Sequence, residues 1–161
     1  MIELIGGVEA LPTSGGSYVL ALRSSTLTRV TIGRLGEATV APGWYLYVGS
    51  ALGSGGLRGR LRHHLRVVRR PHWHIDYLRQ VCTVEQVWCV VDAQYWEHCW
   101  AEQLATMATP APRLRFGASD CRCIAHCFFV KTRPQCVDFV AAVRLAHPEL
   151  PEVLCIAEGL R

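Results

Sequence analysis

The chain has 161 residues, of which 50% are hydrophobic and 19% charged, a balance that excludes a disordered or low-complexity protein and leaves enough chain for one packed core. A formal net charge of +4 is carried almost wholly by arginine, Lys131 being the single lysine, and arginine's forked donors suit phosphate oxygens better than an ammonium does. There is no apolar run of about eighteen residues and no basic start leading into an apolar stretch, so one domain over residues 1–161, cytoplasmic and without a membrane partner, is expected. In that compartment the eight cysteines are expected to be reduced, buried or metal-bound, with Cys82, Cys89 and Cys136 lying in apolar core stretches.

Along the chain, "GSYVLALRSS" alternates, with Tyr18, Leu20 and Leu22 on one face, and predicts a first strand; "RVTIG" predicts a second. "GRLGEATVAPG" reads as turn, and "WYLYVG" predicts a third strand with Trp44, Leu46 and Val48 on one face and Tyr45 and Tyr47 on the other. The expected fold is therefore α/β (α+β), a small three-stranded antiparallel sheet flanked by helices.

From Ser54 to Val68 the period changes: Leu57, Leu61, Leu65 and Val68 make one apolar helical stripe, Arg58, Arg62, Arg66 and Arg69 its neighbour, and Arg60 and His64 a third line. "PHWHIDYLRQV" predicts a turn and a short helix, "VEQVWCVV" a β-rich run, and "DAQYWEHCWAEQLATM" a helix with Asp92 as N-cap, ended by Pro110 and Pro112. "CFFVK" reads as a short strand and "RPQCVDFVAAVRLAH" as a C-terminal helix over about residues 134–146.

The glycine loop "GSALGSGG", between a strand and a helix, has the layout of a phosphate loop but lacks the Gly-Lys-Ser/Thr ending and the G-x-G-x-x-G spacing, so no nucleotide cofactor is expected. No acid interrupts Arg58 to Arg70; such a stripe is either a solvated helix face or a contact for nucleic-acid phosphates, with Arg58, Arg62, Arg66 and Arg69 as the candidates and Trp73 as a stacking platform.

Gly16-Ser17-Tyr18, Tyr47-Val48-Gly49, then Arg60 and, one turn later, His64 resemble the GIY-YIG endonuclease superfamily. "YVGSA", "GLRGRLRHH", "HWHIDYL" and "GASDCRC" followed by His126 resemble its small Uri-type branch, over roughly residues 15 to 130. The resemblance implies a GIY-YIG nuclease-like fold, with the two tyrosines facing each other on neighbouring strands. It also implies a carboxylate on a later helix, which falls on Glu97 with Trp100 three residues on; Glu102, five residues along, is rotated away.

The activity that the resemblance implies is that of a DNA endonuclease with one Mg²⁺ or Mn²⁺ held by Glu97, Arg60 neutralising the scissile phosphate, Tyr18 as proton acceptor and Tyr47 as positioner. Phosphodiester hydrolysis needs such groups on its own account: a base for the attacking water, positive charge on the developing phosphorane, and a cation. A tyrosine hydroxyl whose pKa nearby cations lower, or His64, are the candidate bases. Gly49, Ser50, His72, His74, Asp76, Ser119, Asp120 and His126 are candidate neighbours of the cleft; the bland reading of the last three is that they buttress a turn, and of His74 that Asp76 satisfies it.

"SDCRCIAHC" offers Cys121, Cys123, His126 and Cys127 as zinc ligands, although C-x-C-x-x-H lacks the usual C-x-x-C knuckle. Two other readings stand beside the nuclease: a non-catalytic nucleic-acid-binding module, and a small zinc or redox protein. Strandedness of the DNA, and RNA in its place, stay open.

Overall fold

The computed structural model describes residues 1–157 and Leu160, and its centre is an antiparallel pair of long strands, β2 (Gly16–Ser24) and β5 (Gly43–Ala51). Before and between them lie β1 (Ile2–Leu4), β3 (Thr28–Ile32) and β4 (Gly36–Val40). After them come helices α1 (Gly56–Leu65) and α2 (His74–Arg79), β6 (Thr83–Val91), α3 (Glu97–Met107), β7 (Thr109–Pro110), β8 (Cys127–Val130), α4 (Cys136–Ala146) and β9 (Val153–Ile156).

Seven strands make one mixed sheet in the order β1-β9-β6-β2-β5-β8-β7, in which only β1 and β9 run parallel, while β3 and β4 pair separately. This corrects the expected small three-stranded sheet. The β-rich runs "VEQVWCVV" and "CFFVK" pair on either flank of the β2–β5 hairpin instead of standing apart from it. The predicted second strand leaves the hairpin sheet altogether: Gly33 and Gly36, both at positive φ, turn the chain so that "GEATV" is a strand lying against it, not a turn.

Strand alternation sends the two faces of β2 and β5 into two cores. Tyr18, Leu20, Leu22 and Tyr45 pack with Leu57 and Leu61 of α1 and Ile75 and Leu78 of α2. Val19, Ala21, Trp44, Leu46 and Val48 pack with Trp96 before α3, Trp100 and Leu104 of α3, and Phe139, Val140 and Val143 of α4. Each fully buried Leu or Val in these layers contributes roughly 1.5–3 kcal/mol. No helix among the described residues is long and apolar enough to cross a membrane.

Two helix boundaries also differ from expectation. α1 stops at Leu65, three residues short, because the β-branched pair Val67-Val68 and Pro71 follow, so Arg69 is not on a helical stripe with Arg58. Asp92 does not cap α3, which starts at Glu97; its carboxylate instead accepts from Gln94 N (3.0 Å) and Trp96 Nε1 (2.8 Å) and shapes the turn before the helix.

Candidate active site

Tyr18 and Gly49 are directly opposed in the β2–β5 pair, and the Tyr18 ring lies across Gly49: a β-carbon there would sit 2.4 Å from the Tyr18 hydroxyl. This is why "YVG" needs its glycine. Gly49→Ala is expected to destabilise the fold by about 1–3 kcal/mol and to displace the tyrosine, read as a lowered urea midpoint together with a changed tyrosine near-UV signal.

Around that tyrosine the chain builds a cleft of about 400 Å³. Tyr18, Tyr47, Gly49, Ser50, Arg60, His64, His72, Trp73, His74, Glu97, Ser119 and Asp120 of the expected set line it, joined by Tyr95 and Gly117, which the sequence does not single out. After β8 stops pairing at Tyr47, Val48 N still donates to the His126 carbonyl (2.8 Å), and Ser50 reaches Glu97 at the start of α3.

The Tyr18 hydroxyl lies 2.6 Å from His64 Nε2, and both groups are almost fully buried. Burial, with Arg79, Arg60 and His63 nearby, pulls the His64 pKa down to about 3, so the imidazole is neutral at ordinary pH. Burial also raises Tyr18 and Tyr47 well above the usual phenol range, outweighing Arg60. The expected lowering of a tyrosine pKa by nearby cations is thus reversed by desolvation: both rings are neutral phenols at ordinary pH.

Arg60 lies over the Trp73 ring at 4.7 Å, with His63 5.1 Å from the same ring on the other helix line. Trp73 is 39% exposed, so the Arg60–Trp73 pair sits at the surface and not in the core.

Glu97 stands at the first position of α3 and is 8% exposed. Its Oε2 accepts hydrogen bonds from Ser50 Oγ (3.1 Å) and the Tyr95 hydroxyl, and His126 Nδ1 approaches Oε1 at 3.2 Å, off the angle of a linear hydrogen bond. Burial pushes the carboxyl pKa up, but the contacts from His126, Tyr95 and Ser50 together win and hold it below the ordinary value. Glu97 and Asp120 are the two carboxylates among the residues lining the cleft, and carboxylate oxygens are the donor type that Mg²⁺ and Mn²⁺ take. Glu102 is exposed and lines a different depression beside His98 and Cys123.

The remaining candidates divide. Asp76 lies outside the cleft lining: its Oδ2 accepts from His72 N and Trp73 N, both at 2.9 Å, capping α2, and Arg79 lies 3.6 Å from Oδ1. His74 is not satisfied by Asp76; its Nδ1 accepts from Gly117 N at 2.9 Å and ties α2 to the loop that carries Ser119 and Asp120. Arg58 and Arg62 do not line the cleft either. Arg58 Nε donates to the Leu11 carbonyl (2.6 Å) and Arg62 pairs with Glu9, its Nε 2.7 Å from Oε1, so both bind the N-terminal segment to α1. Arg66 gives its carbonyl to Arg79, and Arg69 lies on the chain beyond the helix.

On the far side of Glu97, His98, Cys121, Cys123 and His126 place their donor atoms within 4.8 Å of one another. The sequence does not mark His98 as a member, since it comes from a separate helix; Cys127, offered as a ligand by the sequence, is buried in β8 and is not part of this group.

Comparison with curated proteins and with solved structures finds no match. No model of the GIY-YIG superfamily matches either, and the seven-stranded mixed sheet differs from the small sheet that resemblance implied, so both the Uri-type resemblance and the fold drawn from it are set aside. The family model that does match covers residues 17–147, from β2 through α4, and the chain belongs to that family, described as Domain of unknown function DUF123.

Proposed function

We propose that the protein is a divalent-metal-dependent endonuclease that hydrolyses phosphodiester bonds in DNA. The observation that carries this reading is the convergence, in one cleft, of a neutral Tyr18–His64 pair, a cation at Arg60 and a buried ionised carboxylate at Glu97. Each supplies one requirement of phosphodiester hydrolysis.

Glu97 would hold the Mg²⁺ or Mn²⁺, which when bound would supply Lewis-acid polarisation of the scissile phosphate. Arg60, oriented by Trp73, neutralises charge that grows on the non-bridging oxygens in the transition state. Tyr18 keeps its proton at neutral pH, so it works as a relay: its oxygen accepts from the attacking water while its own proton passes to His64 Nε2, 2.6 Å away. A bound phosphodiester brings negative charge into the cleft, raising His64 toward the range in which it accepts that proton. Tyr47, also a neutral phenol, donates to the phosphate or the water and fixes its direction of attack. Trp73, 39% exposed, offers an aromatic ring on which a base next to the cut can stack.

A second reading is favoured by one specific observation: Ser50, Tyr95 and His126 already satisfy Glu97, as they would in a cleft that binds nucleic acid without cutting it. End-labelled single-stranded, duplex and forked DNA, with RNA as a fourth substrate, separates the two. Cutting of at least one DNA form in Mg²⁺ or Mn²⁺ and none in chelator is the expected result; binding without cutting in any cation assigns the cleft to the second reading.

A further inference from the structure

We infer that His98, Cys121, Cys123 and His126 form a structural zinc site, separate in chemistry from the cleft that Glu97 lines. The four donor atoms lie within 4.8 Å of one another, and tetrahedral zinc with sulfur at about 2.3 Å and nitrogen at about 2.0–2.1 Å needs donor separations of roughly 3.3–3.8 Å, a closure of about 1 Å. Two thiolates and two imidazoles are a soft and borderline set that selects zinc over Mg²⁺. With four protein ligands no position is left for water, which marks the site as structural and not catalytic.

Three further features fit a built site. Arg115, at φ 64, sends its two terminal nitrogens to the carbonyls of Cys123 (2.5 Å) and Cys121 (2.6 Å), holding the C-x-C backbone in one arrangement. His126 already has Nε2 3.3 Å from Cys121 Sγ, while Nδ1 faces Glu97 Oε1 at 3.2 Å; a ligating histidine whose other nitrogen is turned to a carboxylate is the usual support for bound zinc. His98 is exposed and the cysteines are half-buried, which leaves a path for the ion to enter.

The site also answers a folding problem. Residues 111–126, between β7 and β8, contain no strand or helix, longer than the roughly 12–15 residues at which an unstructured connection becomes uncommon in a compact domain. One zinc clamps its far end to α3 and thereby fixes Gly117, Ser119 and Asp120 in the cleft wall. Binding deprotonates the two thiols, releasing two protons per ion, and involves no redox step.

The test uses the full chain expressed with added zinc, dialysed, and analysed by metal quantification and native mass spectrometry. One zinc per chain is expected, and Co²⁺ in its place should give the intense visible bands of a tetrahedral centre with thiolate-to-cobalt charge transfer. The Cys121→Ser/Cys123→Ser double variant should lose the ion and Cys99→Ser should keep it. The thermal midpoint of the wild type should fall on chelation while that of the double variant does not move. Less than about one tenth of an equivalent of zinc, weak octahedral cobalt bands, or equal binding by the double variant would each overturn the site. Metal content is read independently of DNA cutting, so loss of one reading does not carry the other with it.

Discussion

Glu97→Gln is expected to reduce DNA cutting by at least about 10³-fold while leaving the fold and DNA binding in place. Glutamine keeps the size of the side chain and still accepts from Ser50 and Tyr95, so the packing at the start of α3 is preserved. What is lost is the charge that, on the proposed mechanism, would hold the cation, and Lewis-acid stabilisation of a phosphoryl transition state is worth several kcal/mol, each 1.4 kcal/mol being about tenfold in rate. Single-turnover cutting gives the rate, and anisotropy of labelled DNA in chelator gives binding without chemistry. A variant that cuts within tenfold of the wild type would remove Glu97 from the mechanism and return it to the role of a brace between Ser50, Tyr95 and His126.

The stability of the domain is expected to fall between pH 6.5 and pH 3 on account of His64. Its folded pKa is about 3 against an ordinary 6.5, and it is 1% exposed. Above pH 6.5 the imidazole is neutral in both states and contributes no pH dependence. As the pH falls below 6.5 the unfolded chain takes up a proton that the buried ring refuses, so stability drops by up to about 1.4 kcal/mol per unit until the folded pKa is reached. His64→Gln removes that proton uptake while offering Tyr18 a partner. Urea unfolding of both proteins at pH 7 and pH 5 should show the wild type's advantage shrinking by about 2 kcal/mol, other titrating groups cancelling in the difference. An advantage that does not change with pH would place the imidazole in contact with water.

The elements of the site are legible where local pattern and pairing agree. The alternation of "GSYVLALRSS" and "WYLYVG" places Tyr18 and Tyr47 on the inner face of an antiparallel pair, and a 3.6-residue period brings Arg60 and His64 to one side of α1. The sheet is not legible, because its outer strands are two to four residues long and carry no period. β1 and β9 pair parallel across almost the full length of the chain, which no window of sequence displays. The partners of the arginine stripe are hidden for a related reason: helical spacing puts Arg58 and Arg62 on one face, and only the folded N-terminal segment brings Leu11 and Glu9 to them.

His98 is the instructive omission. In "EHCW" it directly follows the residue singled out as the metal-holding carboxylate, and its partners lie more than twenty positions away in a segment whose C-x-C-x-x-H spacing is incomplete by itself. The fourth ligand comes from another element, so only the tertiary structure completes the set. Tyr95, two residues before Glu97, escapes for the opposite reason: nothing in an aromatic run marks a hydroxyl that reaches a carboxylate.

The most direct measurement is a Mg²⁺ titration of cutting on a single end-labelled oligonucleotide, with wild type and Glu97→Gln side by side. Wild-type cutting should rise from nothing in chelator to a plateau in Mg²⁺ while the variant stays at background throughout. Equal cutting by the two proteins, or a wild type that binds the oligonucleotide and leaves it intact at every Mg²⁺ and Mn²⁺ concentration, would contradict it.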